Sequence, residues 1–246
     1  MIKKIAILTA LQTEGDPVIM DFIQKKLETE VGSLKFYSGK LSSIKPKVYL
    51  GVFGIGKVQA AMATQFVIDR FSPDHIFLIG ACGGVTKEVN PGDILIPNKT
   101  VQADFDTTCF GDEKGEFQGP TDDIKYKEFE TDKRVIKFFK KNKVAKNIKL
   151  IKGKRPVIRY GSFVSQDKFE TDKRQLEILE KEFRCIGFDM EAAAVNIVSS
   201  MNDIPFNMIK SVLDTGGELD MDFYNEYIKV VCGNSYQVLR AYLETF

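Results

Sequence analysis

Cys185-Ile186-Gly187-Phe188-Asp189-Met190-Glu191-Ala192-Ala193-Ala194-Val195 is an apolar run that halts at two carboxylates and resumes as a string of small helix formers. The apolar approach reads as a buried strand. An acidic residue before an Ala-rich stretch reads as the first turn of a helix, whose free N–H groups favour negative charge. The segment is therefore a strand-to-helix junction, the unit from which α/β folds are built. Helix capping accounts for one carboxylate but not for a pair around a single Met. Carboxylates so placed can also point at a polyhydroxyl ligand such as a ribose, and the segment alone leaves both readings open.

The same alternation extends outward. Strand-like runs fall at Ile5–Thr9, Lys47–Val52, His75–Ile79, Asp93–Pro97, Val157–Val164 and Phe206–Val212. Helical patterns fill Pro17–Thr29, Val58–Arg70, Asp132–Lys141, Lys173–Glu182, Ala192–Met201 and Asp222–Leu243. Strands rich in Ile, Val, Leu and Phe between amphipathic helices predict an α/β fold: a three-layer α/β/α arrangement on a mixed, largely parallel central sheet. In such sheets ligands sit beyond the carboxyl ends of the strands. That rule selects Leu11–Glu14, Phe53–Lys57, Gly80–Gly84, Ser165–Glu170, Asp189–Glu191 and Leu213–Gly217. No internal repeat or Pro/Gly/Ser-rich linker divides the chain, so one domain over 1–246 is expected. The Gly- and charge-rich stretch Phe110–Asp123 reads as a mobile excursion.

Composition narrows the function. A hydrophobic fraction of 43% over 246 residues allows a substantial core. Basic and acidic side chains number 35 and 34, a net charge of +1, so nothing global draws the chain to nucleic acid or an anionic membrane. The basic stretch from Lys137 to Arg159, with Lys140, Lys141, Lys143, Lys146, Lys149, Lys152, Lys154 and Arg155, reads as a solvated helix face and loop. The four cysteines (Cys82, Cys109, Cys185, Cys232) lie far apart with no CxxC pair, which argues against zinc and for reduced thiols in the cytoplasm. The start, Met1-Ile2-Lys3-Lys4 and then Ile5–Leu11, imitates a signal peptide. With a short apolar run, no small-residue cleavage site, and Gln12 and Glu14 following, a buried first strand is expected instead. No stretch is long enough to span a bilayer. One histidine, His75, stands at the mouth of an apolar strand, so acid–base chemistry here runs on carboxylates.

Gly51-Val52-Phe53-Gly54-Ile55-Gly56-Lys57-Val58 nearly spells a phosphate-binding P-loop, but Val58 stands where a magnesium-binding hydroxyl belongs. Gly80-Ala81-Cys82-Gly83-Gly84 follows the strand ending at Ile79, either as a tight turn or as a backbone surface open to a flat ring or sugar. Glu14 and Asp214, taken singly, read as a helix-start carboxylate and a turn residue. Glu14, Asp189, Glu191 and Asp214 all lie at expected carboxyl ends of strands, and their convergence marks a site.

These residues, in order, resemble the nucleoside phosphorylase/nucleosidase superfamily, and most closely its 5′-methylthioadenosine/S-adenosylhomocysteine nucleosidases. The likeness rests on Ala10-Leu11-Gln12-Thr13-Glu14, Gly54-Ile55-Gly56-Lys57-Val58, Gly80–Gly84, Pro91-Gly92-Asp93-Ile94, Ser165-Gln166-Asp167-Lys168-Phe169, Asp189-Met190-Glu191-Ala192 and the strand ending in Asp214. The resemblance implies that Glu14 orients and deprotonates the attacking water, and that Asp214 protonates N7 of the adenine. It implies that Met190 and Glu191 hold the ribose, that Phe169 stacks on the base, that Gly83 belongs to the substrate-binding set, and that Phe223 helps line the pocket for the 5′ substituent. Asp189 then supports the turn. Positive charge builds on the sugar and negative charge on the purine as the bond breaks, so Asp214 requires a raised pKa while Glu14 must be ionised. The family also implies a small-molecule nucleoside substrate, no metal or organic cofactor, and a homodimer with the 5′ pocket near the interface.

Leu78 and Ala81 stand where the phosphorylases of this superfamily are expected to carry an Arg and a Ser for phosphate, which favours water as nucleophile. Gln12 replaces a second acid, Leu213 replaces a Ser beside Asp214, and Phe110-Gly111-Asp112 keeps part of an aromatic loop. The alternatives are a phosphorylase or a nucleosidase for another nucleoside, and a nucleoside-binding protein without turnover.

Overall fold

The computed structural model describes residues 2–121, 123–142, 148–217 and 220–246. β1 (Lys4–Thr9) leads into α1 (Gln12–Asp21), and the chain returns as a hairpin of β2 (Phe22–Val31) and β3 (Leu34–Leu41). β4 (Lys47–Val52), α2 (Lys57–Phe71) and β5 (His75–Gly84) follow. Short strands β6 (Ile94–Leu95) and β7 (Lys99–Gln102) precede a small hairpin of β8 (Phe117–Gln118) and β9 (Lys125–Tyr126), then β10 (Glu128–Glu130) and α3 (Lys133–Lys141). The remainder runs β11 (Ile158–Arg159), β12 (Ser162–Ser165), α4 (Lys173–Phe183), β13 (Cys185–Asp189), α5 (Ala192–Met201), β14 (Phe206–Asp214) and α6 (Met221–Leu243).

β5 is the hub of the sheet. Parallel β1 pairs with its first half, Ile5 opposite His75 through Leu8 opposite Leu78. Antiparallel β13 takes its end, Phe188 opposite Gly83. Parallel β14 runs along it from Phe206–Ile76 to Asp214–Gly83, with a bulge between Val212 and Asp214. From β1 the sheet continues through parallel β4 to antiparallel β3 and β2. From β13 it continues through parallel β12 and β7 to antiparallel β10. Helices α2 and α5 cover one face over Phe36, Leu78, Val195 and Met208. Helices α1, α3 and α6 cover the other over Ile7, Phe77, Val135 and Leu239. The result is the three-layer α/β/α arrangement on a mixed, largely parallel sheet. Among the described residues no helix is long and apolar enough to cross a membrane.

The expected helix over Pro17–Thr29 is corrected. Pro17 lies inside α1, which ends at Asp21, and Gln24 then takes a left-handed φ of 60° that no helix continues through. The Phe22 ring closes over Gly39 of β3, where a Cβ would meet it at 2.5 Å. The i, i+4 spacing of Ile23 and Leu27 imitated a helix, yet both side chains stay exposed on an edge strand. Val157–Val164 is likewise two short strands rather than one, and His75–Ile79 continues to Gly84. Over its described part Phe110–Asp123 makes specific contacts. Lys125 bridges Asp112 and Glu116 at 2.7 and 2.8 Å, while Phe117 stacks against Phe129; Asp122 lies outside the described residues. On α3 the buried face is Val135, Ile136 and Phe139. Lys137, Lys140 and Lys141 face solvent, and Lys143 and Lys146 lie outside the described residues.

Candidate active site

Every one of the strand-end segments selected from the sequence contributes to one solvent-open cleft of about 650 Å³. Leu11 and Glu14 come from the start of α1, Ile55 from the turn before α2, and Ala81, Cys82 and Gly83 from β5. Phe169, Asp189 to Glu191, and Leu213 with Asp214 complete the wall from their loops.

Glu14 is buried, 3% exposed. Its Oε2 accepts from Ala10 N and Leu11 N, each at 2.9 Å, and its Oε1 accepts from Ala81 N at 2.8 Å. The first two contacts tie the carboxylate to the turn that starts α1, and the third ties it to β5. Three N–H donors suit a carboxylate that accepts and does not donate. Gly80 makes the approach possible: its φ is +142°, and a Cβ there would lie 2.0 Å from Glu14 Oε1. Gly83 serves the wall in the same way, since a Cβ would lie 2.1 Å from the Phe188 ring. The glycine-rich run is thus extended backbone of β5, not a turn.

Behind the cleft lies a residue the sequence reading passed over. Lys210, in the middle of β14, is 1% exposed. Its Nζ stands 2.7 Å from Asp189 Oδ2 and 3.1 Å from Glu191 Oε2. Burial disfavours the ammonium, but Asp189, Glu191 and Glu14 outweigh it and hold the Lys210 pKa well above its ordinary value. A lysine inside a mostly apolar strand was the available signal, because a buried cation requires a buried counter-charge. Asp189 also accepts from Ser165 Oγ at 2.6 Å and from Glu191 N and Ala192 N at 3.1 and 3.0 Å. It pins the turn between β13 and α5. Glu191 occupies the N-cap of α5; its Oε1 accepts from Gly56 N at 3.2 Å. Burial raises its pKa against the opposing pull of Lys210.

Asp214 ends β14 and is partly buried. Gly216 N donates to its Oδ1 at 3.2 Å. Burial raises its pKa, and that single hydrogen bond only partly opposes the shift. Leu213 packs in an apolar cluster with Ile151, Val231 and Cys232. Burial also pushes the Cys82 thiol up, so it presents no thiolate to the cleft.

Phe223 lines an adjoining cavity with Ile151 and Lys152, and that cavity shares Leu213, Asp214 and Tyr224 with the cleft that holds Glu14. Ile228, one turn further along α6, reaches the cleft itself. His75 lies outside the cleft, stacked on Phe77 with centroids 4.2 Å apart, and its Nε2 pairs with Asn207 Oδ1 at 3.0 Å. Burial brings its pKa to about 4, so it remains neutral. The P-loop resemblance fails on geometry: Gly56 N and Lys57 N, which would face phosphate, are taken by Glu191 and Asp167. Among the described residues no group of three or more His, Cys, Asp and Glu is placed to hold a metal ion.

Residues 4–244 match the model of the phosphorylase superfamily. The 5′-methylthioadenosine/S-adenosylhomocysteine nucleosidase of Buchnera aphidicola subsp. Acyrthosiphon pisum is 34% identical over 239 residues, covering 96% of this chain and 94% of that protein. The nucleosidase of the same description from Geobacillus sp. is 32% identical over 233 residues, covering 94% of each. Among solved structures, the 5′-methylthioadenosine/S-adenosylhomocysteine nucleosidase of Neisseria meningitidis, in complex with methylthio-immucillin-A, is similar with a TM-score of 0.86. The two are 26% identical, with 99% of this chain and 100% of that one covered.

Proposed function

The chain belongs to the phosphorylase superfamily and, within it, to the 5′-methylthioadenosine/S-adenosylhomocysteine nucleosidases, and from that premise we propose that it hydrolyses the N-glycosidic bond of 5′-thio-substituted adenosines and releases adenine. One observation carries the reading: Glu14 and Asp214 face the same cleft, Glu14 accepting from three backbone N–H groups and Asp214 from one, with burial raising the Asp214 pKa. Glu14, fixed by three amides, takes a proton from water as the water oxygen bonds to C1′ of the sugar. Asp214, favoured as the acid by burial, gives its proton to N7, and the electron pair of the breaking C1′–N bond leaves with a neutral base. Glu191 accepts from the ribose hydroxyls, and Met190 lies against the sugar. Phe169, 49% exposed at the rim, is free to stack on the purine, and the Gly83 backbone lines the same cleft.

Charge supports water over phosphate as the nucleophile. No Lys or Arg is among the described residues lining the cleft, and Lys210 behind it is already engaged by two carboxylates. Leu78 is buried in the core. A phosphate dianion entering beside Glu14 and Glu191 meets repulsion without a compensating cation. The test is adenine release from 5′-methylthioadenosine, S-adenosylhomocysteine and adenosine, each with and without phosphate. Release in phosphate-free buffer is expected, and strict phosphate dependence overturns the reading.

The assembly is a homodimer in this reading, and the chain acts as one unit over 1–246. Val58 and Met62, 79% and 46% exposed, sit one turn apart on α2 and continue to Ile55, which is 49% exposed and also lines the cleft. An apolar strip beside the site is suited to a second copy of the chain. Light scattering of the native chain and of Val58→Asp checks it, with a dimer and a monomer expected. The cytoplasm is the proposed location; four free thiols, one of them exposed, suit a reducing compartment.

A further inference from the structure

Lys57 belongs to the P-loop look-alike, and the chemistry above gives it no task. Its side chain is 13% exposed. The ammonium lies 2.5 Å from Asp104 Oδ1 and 3.6 Å from Asp167 Oδ2. Its own backbone N–H donates to Asp167 Oδ1 at 2.9 Å, and Asp167 N donates in turn to Asp104 Oδ2 at 2.8 Å. One cation therefore closes a ring through Asp104, two residues beyond β7, the loop after β12 and the first turn of α2. The neighbouring amide, Gly56 N, holds Glu191. Two residues beyond Asp167 stands Phe169, half-exposed at the rim of the cleft. On its other side the loop is held by Glu170, whose Oε1 accepts from Asp172 N at 3.0 Å. The Lys57 ring is thus the anchor on the side nearer the ribose carboxylate.

We propose that Lys57 is a positioning residue: its ion pairs with Asp104 and Asp167 fix the Phe169 loop to the same first turn of α2 that holds Glu191, and so set the distance between base platform and sugar clamp. The proposal rests on the nucleosidase reading for what Phe169 stacks upon, but the tie itself is a property of the fold. A ring of this kind acts on binding, not on bond breaking, because none of its groups touches the reacting atoms. Lysine serves as a bridge here since one compact charge reaches two carboxylates from different loops.

The chain contains no tryptophan, so Phe169→Trp supplies a single fluorophore on the loop. In that background Lys57→Met is expected to raise acrylamide quenching about twofold as the loop loosens, and Lys57→Arg to return it toward the starting value. In the otherwise native chain Lys57→Met is expected to raise KM for 5′-methylthioadenosine about fivefold, the upper range for a partly exposed ion pair, with kcat held within about twofold. Asp104→Asn, which leaves Lys57 in place, is expected to reproduce both effects and serves if Lys57→Met folds poorly. Unchanged quenching in folded Lys57→Met and Asp104→Asn overturns the proposal, as does a fall in kcat at constant KM. If the reporter responds as expected while no nucleoside is cleaved, the tie stands and the nucleosidase reading falls.

Discussion

At one end of the cleft Glu14 accepts from three backbone N–H groups on two different elements. At the other, Asp214 accepts one, from Gly216 two residues along its own loop. Both are carboxyl groups at the carboxyl ends of parallel strands, and both are withdrawn from water. The difference is the number of dipoles directed at each. Three amides at Glu14 stand in for the water a carboxylate loses on burial, whereas at Asp214 burial outruns its one amide and raises the pKa. In the proposed reaction this difference is what divides base from acid, with no histidine among the described residues lining the cleft.

Exchanging each carboxyl for its amide tests that difference most severely. Asp214→Asn and Glu14→Gln are each expected to lower kcat/KM for adenine release by about 10² to 10⁴, the usual range for a general acid or base. If either retained native turnover, its assigned role would be lost. Next in size is the cluster between the two ends. Lys210→Met leaves Asp189 and Glu191 without their shared cation and is expected to destabilise the fold by about 3–5 kcal/mol, read from denaturant unfolding. A loss below about 1 kcal/mol would mean the carboxylates are compensated by other means.

That cluster also shows where the sequence was legible and where it was not. Periodicity located β1, β4, α2, α5 and α6 to within a residue or two, because each packs a continuous apolar face. It failed at Phe22–Val31, where one exposed edge strand carries a helix-like spacing and only pairing with β3 reveals it. The cleft was located by the strand-end rule, since topology delivers Glu14, Glu191 and Asp214 to one place. Lys210 escaped because it lies under the cleft wall, in a strand that is mostly apolar. The pair of carboxylates around Met190 makes sense only with it: Asp189 secures the turn and the cation, while Glu191 shares the cation and lines the cleft. Tyr224 escaped for a smaller reason: no composition signal marks which turn of α6 meets the cleft, and Tyr224 lines both the cleft and the adjoining cavity of Phe223. Tyr224→Ala is accordingly expected to raise KM about tenfold by removing an aromatic wall of both, and Phe223→Ala, which bares one of them, to raise it about threefold. An unchanged KM for Tyr224→Ala in steady-state kinetics would remove that residue from the site.

The smallest expected effect bears most directly on the comparison of the two ends. A carboxyl whose pKa is raised by folding binds its proton more tightly in the native chain than in the unfolded one. Between the ordinary aspartate value of 3.8 and the raised value of Asp214, the unfolded chain is ionised and the native chain is not, so stability falls as pH rises through that window. Above it the full penalty is present; below 3.8 it is absent. Asp214→Asn removes the titrating group and keeps its shape, so it should be more stable than the native chain at neutral pH by about 1 kcal/mol, with the advantage vanishing toward acid pH. Glu14→Gln should do the reverse. An amide there turns an NH₂ group toward a backbone N–H that the carboxylate had satisfied, which costs about 1–3 kcal/mol at neutral pH. Thermal unfolding of both variants across pH 3 to 8 reads the two signs directly. Opposite signs are the physical content of the assignment of acid and base; the same sign in both would mean that the amide count does not govern which carboxyl keeps its proton.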